Sequence, residues 1–145
     1  MNKEPNLPFL TISAAAKLVG ISIHTIRMYE REGLILPYKE EGKQRRYSAN
    51  DVERMRCIRQ IINDEKMSIE GIRRMLALIP CWAITRCHAK DQKNCDFFSS
   101  YTKPCWMINH KNNFCTDKEC RECEVYYSFG NCKSIKEKLK ELLPS

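Results

Sequence analysis

Nine cysteines stand in this chain of 145 residues, and they are unevenly placed. None precedes Cys57, and eight fall at Cys81, Cys87, Cys95, Cys105, Cys115, Cys120, Cys123 and Cys132. Thiolates are soft ligands that suit Zn²⁺ or an iron–sulfur cluster. Eight of them could form two four-thiolate sites, or one site plus spare redox thiols. Only Cys120-x2-Cys123 has the short spacing of a zinc knuckle. Cys120, Cys123 and Cys132 are therefore the first expected ligands and Cys115 the fourth, with Cys81, Cys87, Cys95 and Cys105 completing the metal set. The other spacings are looser than in a zinc ribbon, which leaves room for a cluster. His88 or His110 could replace a cysteine in a zinc site, although each is more ordinarily a surface residue. Disulfides and unligated buried thiols are the competing readings. Cys57, inside an expected helix, reads as a small core hydrophobe.

The rest of the composition narrows the classes. The net charge of +7 is spread over both halves, which suits a polyanionic partner such as DNA or, more blandly, a solvated basic surface. The apolar stretch Leu7–Ile12 is too short for the core of a secretory signal, and no run approaches the ~18 apolar residues of a membrane span. A cytoplasmic protein is expected, and in a reducing cytoplasm dense cysteines more often bind metal than form disulfides. No Gly-rich nucleotide loop, Ser-His-Asp set or carboxylate pair is evident. An enzyme is therefore not expected; a thiol oxidoreductase would have to use Cys120 or Cys123.

The cysteines begin where a different kind of sequence ends, at Pro80-Cys81. Upstream, Thr11 or Ser13 can cap a short helix that Gly20 breaks, and Ser22 can cap a second over Ile23 to Glu32 that stops at Gly33. Two short helices around a glycine turn are the helix-turn-helix pattern. Ile26 faces inward on the second helix, while His24, Thr25, Arg27 and Met28 lie on or near the other side. Leu34–Tyr38, a polar turn with Gly42, and Arg45-Arg46-Tyr47 read as a β-hairpin wing. Ser48 caps a third helix, Asn50 to about Asn63, with Val52, Met55, Ile58, Ile61 and Ile62 at helical spacing. Ser68 caps a fourth, with Ile69, Ile72, Met75, Leu76 and Ile79 inward, and Pro80 ends it.

The string Thr11-Ile-Ser, Gly20-Ile-Ser-Ile-His-Thr-Ile-Arg-Met-Tyr-Glu, Gly33-Leu-Ile, Gly42, Arg45-Arg-Tyr-Ser, Asp51-Val-Glu-Arg and Ser68-Ile-Glu-Gly-Ile-Arg resembles the MerR family of bacterial regulators, most of all its HspR-like branch. The resemblance covers about residues 10–79. It implies a homodimer on a pseudo-palindromic double-stranded operator, with RNA polymerase affected indirectly through distorted promoter DNA. It also implies that the second helix enters the major groove while the wing tracks the backbone. Carried onto this sequence, Arg27 is the motif arginine of the recognition helix, and Arg45, Arg46 and Tyr47 are the motif residues of the wing, Tyr47 being equally readable as a core residue. Ser22, His24, Thr25, Met28, Lys39 and Gln44 complete the expected DNA-binding set. Two features differ from the family pattern. Met28 stands where many members carry a tyrosine, and Pro80 and Pro104 interrupt the region where a long coiled-coil helix usually follows.

Cys81-Trp82 and Cys105-Trp106 begin an imperfect duplication similar to the cysteine-rich module called two-CW. That resemblance implies metal or cluster binding, with the tryptophans shielding the site. The tail, Ser134 to Leu143, carries Ile135, Leu139, Leu142 and Leu143 on one helical face. The expected fold is mainly α: a winged helix-turn-helix over 8–80, a cysteine-rich module over 81–132 that a metal would help to fold, and a short amphipathic helix over 133–145. The expected function is a DNA-binding regulator whose cysteine module senses metal or redox state. The alternative is a zinc-stapled regulator whose module is structural or binds protein.

Overall fold

The computed structural model describes residues 7–39, 44–85, 95, 100–108 and 120–143. The chain forms two compact units, Met1–Met67 with Gly130–Cys132, and Ser68–Phe129 with Lys133–Ser145. The rise in cysteine content at residue 81 therefore falls inside the second unit.

In the first unit, helix α1 (Ile12–Val19) begins on Thr11, whose hydroxyl accepts from the Ala14 amide at 3.1 Å. It ends at Gly20, which has φ +82°. The left-handed backbone favours glycine, and a β-carbon there would also lie 2.9 Å from Arg59 Nη1 and have to displace that side-chain end. Helix α2 (Ile23–Arg31) begins on Ser22, which accepts from the Thr25 amide. It buries Ile26 and Tyr29, whose 3-residue spacing puts them on one face.

The expected strand over Leu34–Tyr38 is mostly not a strand. Leu34 and Ile35 are both buried, whereas a half-buried strand would alternate. The Leu34 amide donates to the Tyr29 carbonyl (2.9 Å), which folds the chain back onto α2. Pairing is confined to β1 (Tyr38–Lys39) and β2 (Arg45–Arg46), antiparallel with Tyr38 opposite Arg46 and Lys39 opposite Arg45. Leu10 and Tyr47 exchange two backbone hydrogen bonds of 2.9 Å, tying the N-terminal segment to the base of this wing.

Helix α3 (Ala49–Asn63) starts on a capping box, with Ser48 and Asp51 each accepting the other's amide. It buries Val52, Met55, Cys57, Ile58 and Ile61, while Ile62, expected inward, is half-buried. Its arginines brace the helix-turn-helix. Arg54 Nε donates to the Leu34 carbonyl (2.8 Å), Arg56 to that of Leu18 (3.1 Å) and Arg59 to that of Val19 (2.7 Å). The last two satisfy carbonyls at the negative end of α1, where a guanidinium is favoured.

A disulfide joins Cys57 to Cys132, with Cα atoms 5.4 Å apart and 75 residues between them in sequence. Closing so long a loop removes denatured-chain entropy worth about 4 to 5 kcal/mol in the chain-entropy account.

In the second unit, helix α4 (Ile69–Leu76) is capped by Ser68 and buries Ile72 and Leu76. The apolar spacing predicts a helix running to Ile79. Instead the chain tightens after Leu76, where the Leu78 and Ile79 amides donate three residues back, and Ile79 is still buried. Helix α5 (Cys81–Ile84) follows Pro80 directly. Short 3₁₀ turns lie at Cys105–Met107 and Cys120–Glu122, before helices α6 (Glu124–Tyr127) and α7 (Ser134–Leu142). Pro104, Trp106, Val125, Tyr126 and Phe129 are buried, and the Trp106 and Tyr126 rings meet edge to face at 5.2 Å. Trp82 is half-buried. On α7, Leu139 and Leu142 are half-buried and Leu143 beyond it is exposed. No helix among the described residues is long and apolar enough to cross a membrane.

Candidate nucleic-acid interface

Helix α2 and the wing stand side by side because one carboxylate holds them together. Glu30, near the end of α2, has a side chain only 6% exposed. One of its oxygens accepts from the Tyr47 phenol and the other meets Arg45 Nε at 3.0 Å. Burial chiefly, and then the hydrogen bond and negative charge of Glu30, push the Tyr47 hydroxyl far above the ordinary phenol range. It therefore stays a proton donor, and Glu30 remains the matching acceptor. Burial likewise raises the Tyr29 hydroxyl, against the opposing charge of Arg59.

Tyr47 is 0% exposed, so it is not a DNA contact. Of the two readings of Tyr47, core residue and wing contact, burial supports the first: a ring closed into the core, with its hydroxyl committed to Glu30, is poorly placed to reach a phosphate. Glu30 itself was missed as a site residue. A carboxylate on a predicted helix face gives no local sign that its partners lie 15 and 17 residues further on.

With Tyr47 inside, an open cleft of about 340 Å³ remains between α1, α2 and the wing, lined by Thr11, Ile12, Arg27, Gln44, Arg45 and Arg46. Arg27, Gln44 and Arg45 are exposed, and Arg46 donates to Gln44 Oε1 at 3.3 Å. Glu30, three residues after Arg27 on α2, is engaged by Arg45 and Tyr47. Three arginines thus line one cleft beside the N-terminus of α1, with Arg45 already ion-paired to Glu30, so the local character is basic and the helix dipole adds to it. His24 is exposed, and Thr25 and Met28 are half-buried, on the same helix as Arg27. The Ser22 and Thr25 hydroxyls are hydrogen-bonded at 2.9 Å, so Ser22 serves first as a cap. Lys39 pairs through its backbone with Arg45, which puts it on the opposite strand of the wing.

The cysteines are spread over several elements. Cys81 opens α5, Cys105 opens a 3₁₀ turn and is buried, and Cys95 is half-buried. Cys120 and Cys123 share one tight turn, with the Cys123 amide donating to the Cys120 carbonyl at 3.1 Å. Among the described residues no three Cys, His, Asp or Glu side chains gather as a metal would need. Cys87, Cys115, His88 and His110 lie outside the described residues. Cys132, expected among the first ligands, is bonded through its sulfur to Cys57, and in that disulfide form it is not a thiolate donor. Cys57 is buried, as expected of a core residue, but it also carries this bond.

Two helices across a glycine turn, with a two-stranded wing braced against the second, define a winged helix-turn-helix module. Residues 10–79 match the family described as MerR HTH family regulatory protein, and this part of the chain is a MerR-family helix-turn-helix domain. A Streptomyces coelicolor protein named for the heat shock protein HspR is 42% identical over 71 residues, covering 49% of this chain and 47% of its own length. The mercuric resistance operon regulatory protein of Pseudomonas fluorescens is 47% identical over 57 residues, 39% of this chain and 40% of its own length. The heavy metal-dependent transcription regulator 2 of Rhizobium meliloti is 40% identical over 70 residues, 48% of this chain and 47% of its own length. The chain thus spans about half, or somewhat less, of these curated relatives. The family match ends at residue 79, before Cys81, so the cysteine-rich region lies outside it.

Proposed function

We propose that the chain is a MerR-type transcriptional regulator that binds operator DNA as a homodimer in the cytoplasm and affects RNA polymerase through the shape of the promoter. The observation that carries this reading is the cleft where Arg27, Arg45 and Arg46 meet the N-terminus of α1, beside the exposed residues of α2. In it a phosphate docks in the cleft, while His24, Thr25, Arg27 and Met28 face base edges in the major groove. Gln44, Arg46 and Lys39 of the wing follow the backbone, and Arg45 contributes from its anchored position on Glu30. The test is a binding titration by fluorescence anisotropy against its promoter duplex at several salt concentrations. Arg27→Ala and Arg46→Ala are expected to weaken binding and to lower the log–log salt slope by about 1 for each phosphate no longer neutralised, with unchanged circular dichroism. Unchanged affinity and slope in both would overturn the assignment.

The cysteine-rich region is read as the part that receives a signal. Its support is chemical: seven cysteines outside the disulfide offer soft donors for zinc or an iron–sulfur cluster. The metals in the relatives' names lend nothing here, because the family match stops short of these cysteines. The buried Trp106–Tyr126–Phe129 group favours a second reading, in which zinc is only a staple for a small core. Anaerobic purification with iron, sulfide and zinc analysis separates the two. Iron with matching sulfide supports a sensing cluster, stoichiometric zinc supports the staple, and no metal at all removes both.

A further inference from the structure

Cys57 lies in the stretch of α3 from which Arg54, Arg56 and Arg59 reach the carbonyls of Leu34, Leu18 and Val19. The two residues of its disulfide differ in exposure: Cys57 is 4% exposed, whereas Cys132 lies at the surface with its sulfur 3.7 Å from the Cys57 carbonyl. A bond between a buried residue and a surface residue is approached more readily from the surface side, at Cys132. We propose that Cys57 and Cys132 form a reversible thiol–disulfide modification site, exchanging with small disulfides and dithiols, which sets the rigidity of the helix that braces the helix-turn-helix. This deepens the reading of the chain as a sensory regulator and rests on it, but it places a signal outside the metal donor set.

The exchange balances as follows. In the dithiol form the Cys132 thiolate attacks a small disulfide, RSSR, forming a mixed disulfide and releasing one RS⁻. The Cys57 thiolate then attacks the Cys132 sulfur, closing the protein bond and releasing the second RS⁻. The two thiol protons end on two RSH, so the protein pair is oxidised by two electrons and RSSR is reduced. A dithiol reverses this by attacking Cys132, with the Cys57 thiolate leaving. In a compartment kept reducing, the dithiol is the resting form and the disulfide the signalled one.

The full chain is equilibrated in glutathione buffers of graded potential. Accessible thiols are then trapped with light maleimide and, after reduction, the rest with heavy, and the peptides carrying Cys57 and Cys132 are quantified by mass spectrometry. The two are expected to titrate together as one two-electron couple, and the melting temperature to fall on reduction by on the order of 10 °C. Cys132→Ser, which changes an exposed position and leaves the buried one intact, is expected to abolish the redox dependence of melting. Independent titration of the two cysteines, or a redox-dependent melting shift that survives Cys132→Ser, would overturn the proposal. Zinc and iron measured on the same samples keep it apart from the metal reading. A melting shift that follows metal loss rather than the thiol state of this pair counts against the pair alone. A pair that titrates in metal-free protein upholds the switch and removes the metal reading alone.

Discussion

The chain before Pro80 and the chain after it are stabilised by different means. Each of α1 to α4 begins on a Ser or Thr whose hydroxyl accepts a backbone amide. Helices α5, α6 and α7 begin on Pro80, Cys123 and Lys133 with no side-chain cap. The earlier helices also bury residues at helical spacing, while α5 and α6 span a single turn each. Short, uncapped helices do not hold themselves in water. Among the described residues, order after Pro80 therefore rests on contacts between distant residues, such as Trp106 with Tyr126.

That contrast can be broken most forcefully at Phe129, a fully buried ring. Phe129→Ala is expected to cost about 3 to 5 kcal/mol. Both tryptophans, Trp82 and Trp106, lie after Pro80, so tryptophan fluorescence during urea unfolding reports that region alone. If sulfur chemistry alone ordered it, the fluorescence transition would not move.

Before Pro80 the most sensitive polar position is Glu30. Glu30→Ala strands the buried Tyr47 hydroxyl and releases Arg45, with an expected loss of about 2 to 4 kcal/mol in urea unfolding and weaker promoter binding. Full retention of both properties would show that the wing is held by its backbone pairing instead.

A smaller effect, about 1 to 2 kcal/mol, is expected from Tyr47→Phe, with a distinct dependence on pH. The folded hydroxyl is held above its unfolded value near 10, so the stability it brings is complete below pH ~10 and declines as pH rises beyond it. The substituted protein should therefore lose about 1.4 kcal/mol less per pH unit in alkaline urea titrations. An identical alkaline slope would mean that Tyr47 ionises freely.

The smallest expected change is at Lys66, which holds φ +59° in the loop after α3. Lys66→Gly relieves a left-handed conformation and should raise stability by about 1 kcal/mol or less, read as a higher urea midpoint.

Legibility in the sequence follows the same division. Caps and helical periodicity are local, so the starts of α1 to α4 could be read from Thr11, Ser22, Ser48 and Ser68. The end of α4 could not, because Leu78 and Ile79 continue its apolar pattern while the backbone tightens. The wing is legible in the right place but looks too long, because Leu34 and Ile35 are apolar for the core rather than for a strand. In the interface, Arg27, Arg45 and Arg46 are legible as charges, whereas the inward turn of Tyr47 depends on Glu30, far away in sequence. Among the cysteines, spacing singles out Cys120 and Cys123, which do share a turn. It could not pair Cys57 with Cys132 across 75 residues, since no local pattern encodes so distant a partner.

The Glu30 bridge also makes the domain a gauge. Because one buried carboxylate grips both Arg45 and Tyr47, the recognition helix and the wing keep a fixed span. A caliper with locked jaws fits only a duplex of matching width. If the proposed docking holds, groove dimensions would join base identity among the things this surface discriminates, with the nucleic acid, as the softer partner, doing the yielding.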